Sequence, residues 1–170
     1  MPKSLIAIDT NVLIDLAAKD ESVLDCLSTI KKRLKNPPVL ILPTVIQELA
    51  YIADNGDSMA ERDLALMALR SMLHPWEFKP VNVVPVGHGI VEETARKIRH
   101  KGLIPDEEVN DSLIIAEAAL ANVTILISSD HHMKGVEHEK LKRILDDCDV
   151  ETPIITSPKR VVHDFFRGSS

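Results

Sequence analysis

Three short, unbroken apolar runs constrain this chain more than any other feature. They are Leu5-Ile6-Ala7-Ile8, Val39-Leu40-Ile41-Leu42 and the TILIS run at 124–128. Each is too short for a helix and lacks the alternation of a strand with one wet face. Such runs are strands buried on both sides. A helical apolar period follows each of them, at 11–19, 44–54 and 137–147. Strands alternating with helices imply βαβ units and a mostly parallel sheet covered on both faces.

The remaining elements fit that scheme. A helix over 21–35 places Val23, Leu24, Leu27, Ile30 and Leu34 inward and ends in Lys31, Lys32, Arg33 and Lys35, a charge placement that suits a helix C-terminus. Asn36-Pro37-Pro38 stops it. Helices are expected at 58–74, 90–101 and 111–121. A strand is expected at 81–86, with Pro85 marking an edge or an end. Gly102 is the expected C-terminal cap of the helix before it. Ile154-Ile155 is a last short strand. Ser157-Pro158 opens a tail helix carrying Val161, Val162, Phe165 and Phe166. No Gly-rich phosphate loop follows any strand, so nucleotide-binding readings lose their main support.

The 170 residues fit a single domain over 1–170, large enough to bury roughly 70% of its unfolded surface. With one Trp, one Tyr and three Phe, the core must be aliphatic. Cys26 and Cys148 form no metal-ligand pattern and read as free thiols of a reducing compartment. No apolar stretch has the length of a membrane span, so a soluble cytoplasmic protein is expected. The net charge of −6 argues against a broad basic grip on nucleic acid, but not against an acidic pocket neutralised by cations.

Acids fall at the places where a parallel sheet builds its sites. Asp9 and Asp130 end strands, and ligands of open parallel sheets bind beyond the carboxyl ends of strands. Glu48 lies one turn into the helix after 39–42, flanking its apolar face. Asp111 stands in the first turn of the buried helix 111–121, where the helix dipole tolerates a carboxylate. Each alone has a plainer reading: Asp9 as a cap, Glu48 as a surface residue, Asp111 as a dipole partner, Asp130 as a turn residue. Together they are a set of hard oxygen donors suited to Mg²⁺ or Mn²⁺. Without a cation they would repel, and at least one pKa would rise. Glu117 interrupts an otherwise apolar helix, and no catalytic role is read into it. His131, His132 and His138 lack the partners of a zinc site.

Four stretches carry a family resemblance: Asp9-Thr10-Asn11 after the first strand, Glu48 within IQEL, Asn110-Asp111-Ser112 heading LIIAEAA, and Ser129-Asp130 after TILIS. In order and setting the chain resembles the PIN domain family over most of its length. The resemblance implies a three-layer α/β sandwich with about five mostly parallel strands. It also implies Mg²⁺- or Mn²⁺-dependent endoribonuclease activity. Asp9, Glu48, Asp111 and Asp130 would then be metal ligands, directly or through water, and carry the catalysis. Asn11 would hold Asp9 and its turn, and Ser129 would touch water or phosphate. A small antitoxin partner and a homodimer follow from the same resemblance, since many small members are toxins of VapBC-type pairs. A non-catalytic PIN-like module binding RNA or protein is the alternative. The stretch from Asp54 to His88 is longer than small toxin-like members need, and lid, dimer surface and substrate clamp are its open roles.

Overall fold

The computed structural model describes residues 4–82 and 88–167. The sheet begins with β1 (Ile6–Ile8), β2 (Val39–Ile41) and β4 (Ile125–Ile127). All three residues of β1 are fully buried. The reason is topological: β1 pairs with β2 on one side and β4 on the other, both parallel. Two edge strands, β3 (Lys79–Pro80) and β5 (Ile154–Thr156), complete a five-stranded sheet of order β3-β2-β1-β4-β5. Every pairing is parallel, so the sheet goes beyond the mostly parallel one expected. The chain winds outward from β1 to β3, then returns to β4 on the opposite side. The switch point, where open α/β sheets form their ligand crevice, therefore lies between β1 and β4.

Helices cover the sheet: α1 (Thr10–Ala17), α2 (Glu21–Arg33), α3 (Pro43–Asn55), α4 (Met59–Ser71), α5 (His88–His100) and α6 (Val109–Leu120). They continue with α7 (His131–Lys134), α8 (His138–Asp146) and α9 (Pro158–Arg167). In α2 the inward residues are Val23, Cys26 and Ile30, spaced three and four apart. Leu24, expected inside, is 44% exposed, because Cys26 completes the buried stripe in its place. Burial pushes the Cys26 thiol up to about 12, and both cysteines are free. Helix α5 ends in a Schellman motif: the Gly102 N–H reaches Arg99 O at 2.9 Å and the Leu103 N–H reaches Ile98 O at 3.2 Å. Gly102 takes φ +79°, which glycine adopts without a Cβ penalty. In α9, Val161 is buried and packs toward α2. The side chain of Phe166 lies outside the described residues.

Two expectations change. The strand at 81–86 is displaced: β3 is the dipeptide Lys79–Pro80, paired through Leu40↔Lys79 and Ile41↔Pro80. Phe78, 8% exposed, anchors the chain in the core just before it, so that anchor sets where pairing starts. Val81 adds one hydrogen bond to Ile41 O at 2.9 Å. Residues 83–87 of the expected strand lie outside the described residues. Within 54–88, α4 is not an appended lid. Its Ala65 and Ala68 are fully buried, and it packs against α1 and α3, where small side chains allow close helix approach.

Candidate metal centre

Asp9 follows β1 directly and caps α1. It is 4% exposed, so each carboxylate oxygen needs a partner. Oδ1 accepts the Thr10 backbone N–H at 2.7 Å, and Oδ2 accepts the Ser128 hydroxyl at 2.6 Å. Burial is the main force that raises its pKa from 3.8 to about 6. The two hydrogen bonds oppose that rise, and the charges of Glu48 and Asp130 add to it.

Asp130 comes three residues after the end of β4 and caps α7. Its Oδ1 accepts the N–H groups of His132 at 2.8 Å and Met133 at 3.3 Å. Oδ2 accepts no hydrogen bond among the described residues. Ser128, fully buried, joins the two strand ends: its Oγ donates to Asp9 and accepts the Asp130 N–H at 3.1 Å.

The other two acids come from helices. Glu48, half-buried on α3, accepts the Thr10 hydroxyl on Oε1 at 2.6 Å and the Asn110 amide on Oε2 at 3.4 Å. Asp111 stands in the first turn of α6. Its Oδ2 is buried without a hydrogen-bond partner. Burial, then the charges of Asp130, Asp9, Glu108 and Glu48, raise its pKa from 3.8 to about 7. The charges of Glu48 and Asp130 thus add to the proton affinity of both Asp9 and Asp111, as expected of carboxylates gathered without a cation.

Glu117 has a role that the sequence did not suggest. Only 5% exposed, it accepts the Thr44 N–H on Oε1 at 3.0 Å and the Thr44 hydroxyl on Oε2 at 2.7 Å. It therefore caps α3 from α6.

The supporting residues differ from those picked out by the motif. Asn11 is exposed, and the buried Thr10 beside it ties Asp9 to Glu48. Ser129 is also exposed, and the hydroxyl that reaches Asp9 belongs to Ser128. Asn110, beside Asp111, lies inside α6 and reaches Glu48. A hydroxyl residue next to each strand-end acid was visible in DTN and SSD. Which one turns inward depends on register.

No three His, Cys, Asp or Glu side chains among the described residues stand close enough to ligate one ion directly. Mg²⁺ does not require that. It keeps several waters and takes one or two carboxylates directly. The orphaned Asp111 oxygen and the uncommitted Asp130 Oδ2 are hard donors of the right kind. The donor set fits a hydrated Mg²⁺ or Mn²⁺. The nearby histidines add no ligand set: the His131 and His132 rings lie 4.0 Å apart, tilted by 38°, and His132 Nε2 lies 3.9 Å from Glu108.

Among solved structures, VapBC2 from Rickettsia felis, bound to a DNA fragment from its promoter, contains a similar chain. The TM-score is 0.59 at 21% identity, over 90% of this chain and 98% of that one. At that identity the likeness speaks for the fold alone. No curated protein sequence matches. The PIN domain family model matches residues 6–139, which takes in all four acids and the three strands that form the centre of the sheet. The chain belongs to the PIN domain family.

Proposed function

We propose that this protein is an endoribonuclease dependent on Mg²⁺ or Mn²⁺, acting as the toxin of a toxin–antitoxin pair. The observation that carries the reading is the buried, unpartnered oxygen of Asp111 among three other carboxylates. A buried anion in like-charged company is costly unless a cation joins it. Family membership supports the nuclease chemistry. A small antitoxin partner is proposed from the many small PIN members that are toxins of such pairs, on a fold shared with a chain of a VapBC complex.

Asp111 and Asp130 offer open oxygens and would hold the ion, with Asp9 and Glu48 completing the shell through water. When bound, the ion would supply a low-pKa water and charge for the phosphodiester oxygens. The chain's own contribution is orientation. Ser128 and Thr10 lock Asp9, and Thr10 and Asn110 lock Glu48. In this setting Asp9 and Glu48 align water and accept protons at their carboxylates. With a net charge of −6, the protein itself offers the phosphate little beyond scattered cations such as exposed Lys134.

The test is cleavage of mixed structured RNAs in Mg²⁺, Mn²⁺ or EDTA, beside Asp9→Asn and Asp111→Asn. Cleavage only by the metal-loaded wild type is expected. Activity surviving EDTA or either substitution overturns the reading. Co-expression with the product of a short reading frame just upstream should yield a complex that suppresses cleavage. A chain that binds RNA without cutting it in any metal would instead be a non-catalytic PIN-like module.

A further inference from the structure

We infer that Glu117 is a positioning residue for this site, clamping α3 to α6 so that Glu48 and Asp111 are held together. The inference rests on the metal-dependent reading above. The first turn of α3 cannot cap itself: Pro43 has no N–H, and Leu42 gives no side-chain hydrogen bond. Glu117 supplies the cap from another helix, using both oxygens on the N–H and hydroxyl of Thr44. Both residues are at most 5% exposed, so the pair is part of the interior.

Placement gives the clamp its consequence. Thr44 and Glu48 are four residues apart on α3, on one face and about 6 Å apart along the axis. Asp111 and Glu117 share α6, separated by about 9 Å of helix rise. Fixing Thr44 to Glu117 therefore fixes the relative position of the two acids that helices, not strands, deliver. A plain cap would need only a Ser at position 42, in place of the buried Leu42 side chain. That solution would spare the chain a buried carboxylate, whose desolvation is costly. The use of an acid from α6 is explained when the link between the two helices matters.

The test uses Thr44→Val, Glu117→Leu and Thr44→Ser. Crystal structures of the metal-free variants report the geometry, and calorimetric titration with Mn²⁺ reports the binding. Thr44→Val and Glu117→Leu should release Glu48 from Thr10. They should also weaken Mn²⁺ about tenfold or more, as supporting contacts to metal ligands do. Cleavage should fall through kcat rather than KM, while Thr44→Ser retains wild-type values. The clamp is overturned if Glu48 keeps its place in both variants. It is equally overturned if Mn²⁺ affinity and kcat hold while only Tm drops, since that describes a helix cap alone. A wild type that takes up no Mn²⁺, with Glu48 still displaced in Thr44→Val, supports the clamp and overturns the metal reading instead.

Discussion

The Ser128 hydroxyl donates to Asp9 Oδ2 at 2.6 Å, tying the ends of β1 and β4 across the crevice where the chain reverses its winding. The same oxygen accepts the Asp130 N–H, so one buried side chain sets the spacing of both strand-end acids. Ser128→Ala leaves a buried carboxylate oxygen and a backbone N–H short of partners. The expected cost is about 1–3 kcal/mol of stability, with a marked fall in cleavage. Thermal unfolding and a cleavage assay check both, and Ser128→Ala at wild-type stability and rate would dismiss the bridge.

Metal-free protein should lose stability as pH rises from about 5 to 8. Folded Asp9 keeps its proton up to about pH 6 and Asp111 up to about 7, against 3.8 in the open chain. Between those limits the folded state binds more protons than the unfolded one, so the stability contribution is whole below 3.8 and lost as pH passes through 6 to 7. For buried Asp9 the shift corresponds to about 3 kcal/mol, and for partly exposed Asp111, discounted for solvent screening, to less. Unfolding scans in EDTA at pH 4 and 8 measure it. A wild-type Tm that stays level or rises, relative to Asp111→Asn, contradicts the crowding of charge.

Asp111→Asn should stabilise the metal-free protein while abolishing activity. The substitution removes a charge that Asp130, Asp9, Glu108 and Glu48 oppose and keeps the shape. After allowance for solvent screening, the gain at pH 8 is about 1 kcal/mol, or roughly 2–4 °C in Tm. Mn²⁺ should raise the Tm of wild type and leave the variant unmoved. A variant that is less stable than wild type in EDTA, yet still responds to Mn²⁺, assigns Asp111 a purely structural role.

Thr10→Val and Asn11→Ala separate two neighbours in one motif. Thr10 is buried and its hydroxyl holds Glu48 at 2.6 Å, whereas Asn11 is exposed. Thr10→Val should lower kcat by about tenfold, the order seen when an outer contact to a metal ligand is lost. Asn11→Ala should change rate and Tm little. Parallel kinetics on the two variants decide it, and the reverse ranking would restore Asn11 as the support of the turn.

The four acids stood out in the sequence because each is a charge attached to an apolar element, just past a strand or within the first two turns of a helix. Their supports were less legible. Ser128 rather than Ser129 faces Asp9 because Ile8 pairs with Ile127, and a register is a long-range fact that composition and period do not contain. Thr10 was hidden for a related reason: its partner lies 38 residues on. Glu117 stood out as an anomaly, yet its explanation sits 73 residues away at the start of another helix. The expected strand at 81–86 shows the same limit. Its apolar alternation was local, while the pairing of Lys79 and Pro80 with β2 depended on where Phe78 entered the core.

Asp9 and Asp130 each cap the helix that follows them, and asparagine caps a helix about as well as aspartate. Exchanging one oxygen for an amide nitrogen would therefore silence the chemistry and leave the scaffold standing. Under the proposed function, activity and foldability are separable traits, one inherited through a carboxylate and the other through any good cap. A silenced copy would then still present the proposed antitoxin with the same surface, and would titrate it away from active copies in the same cell.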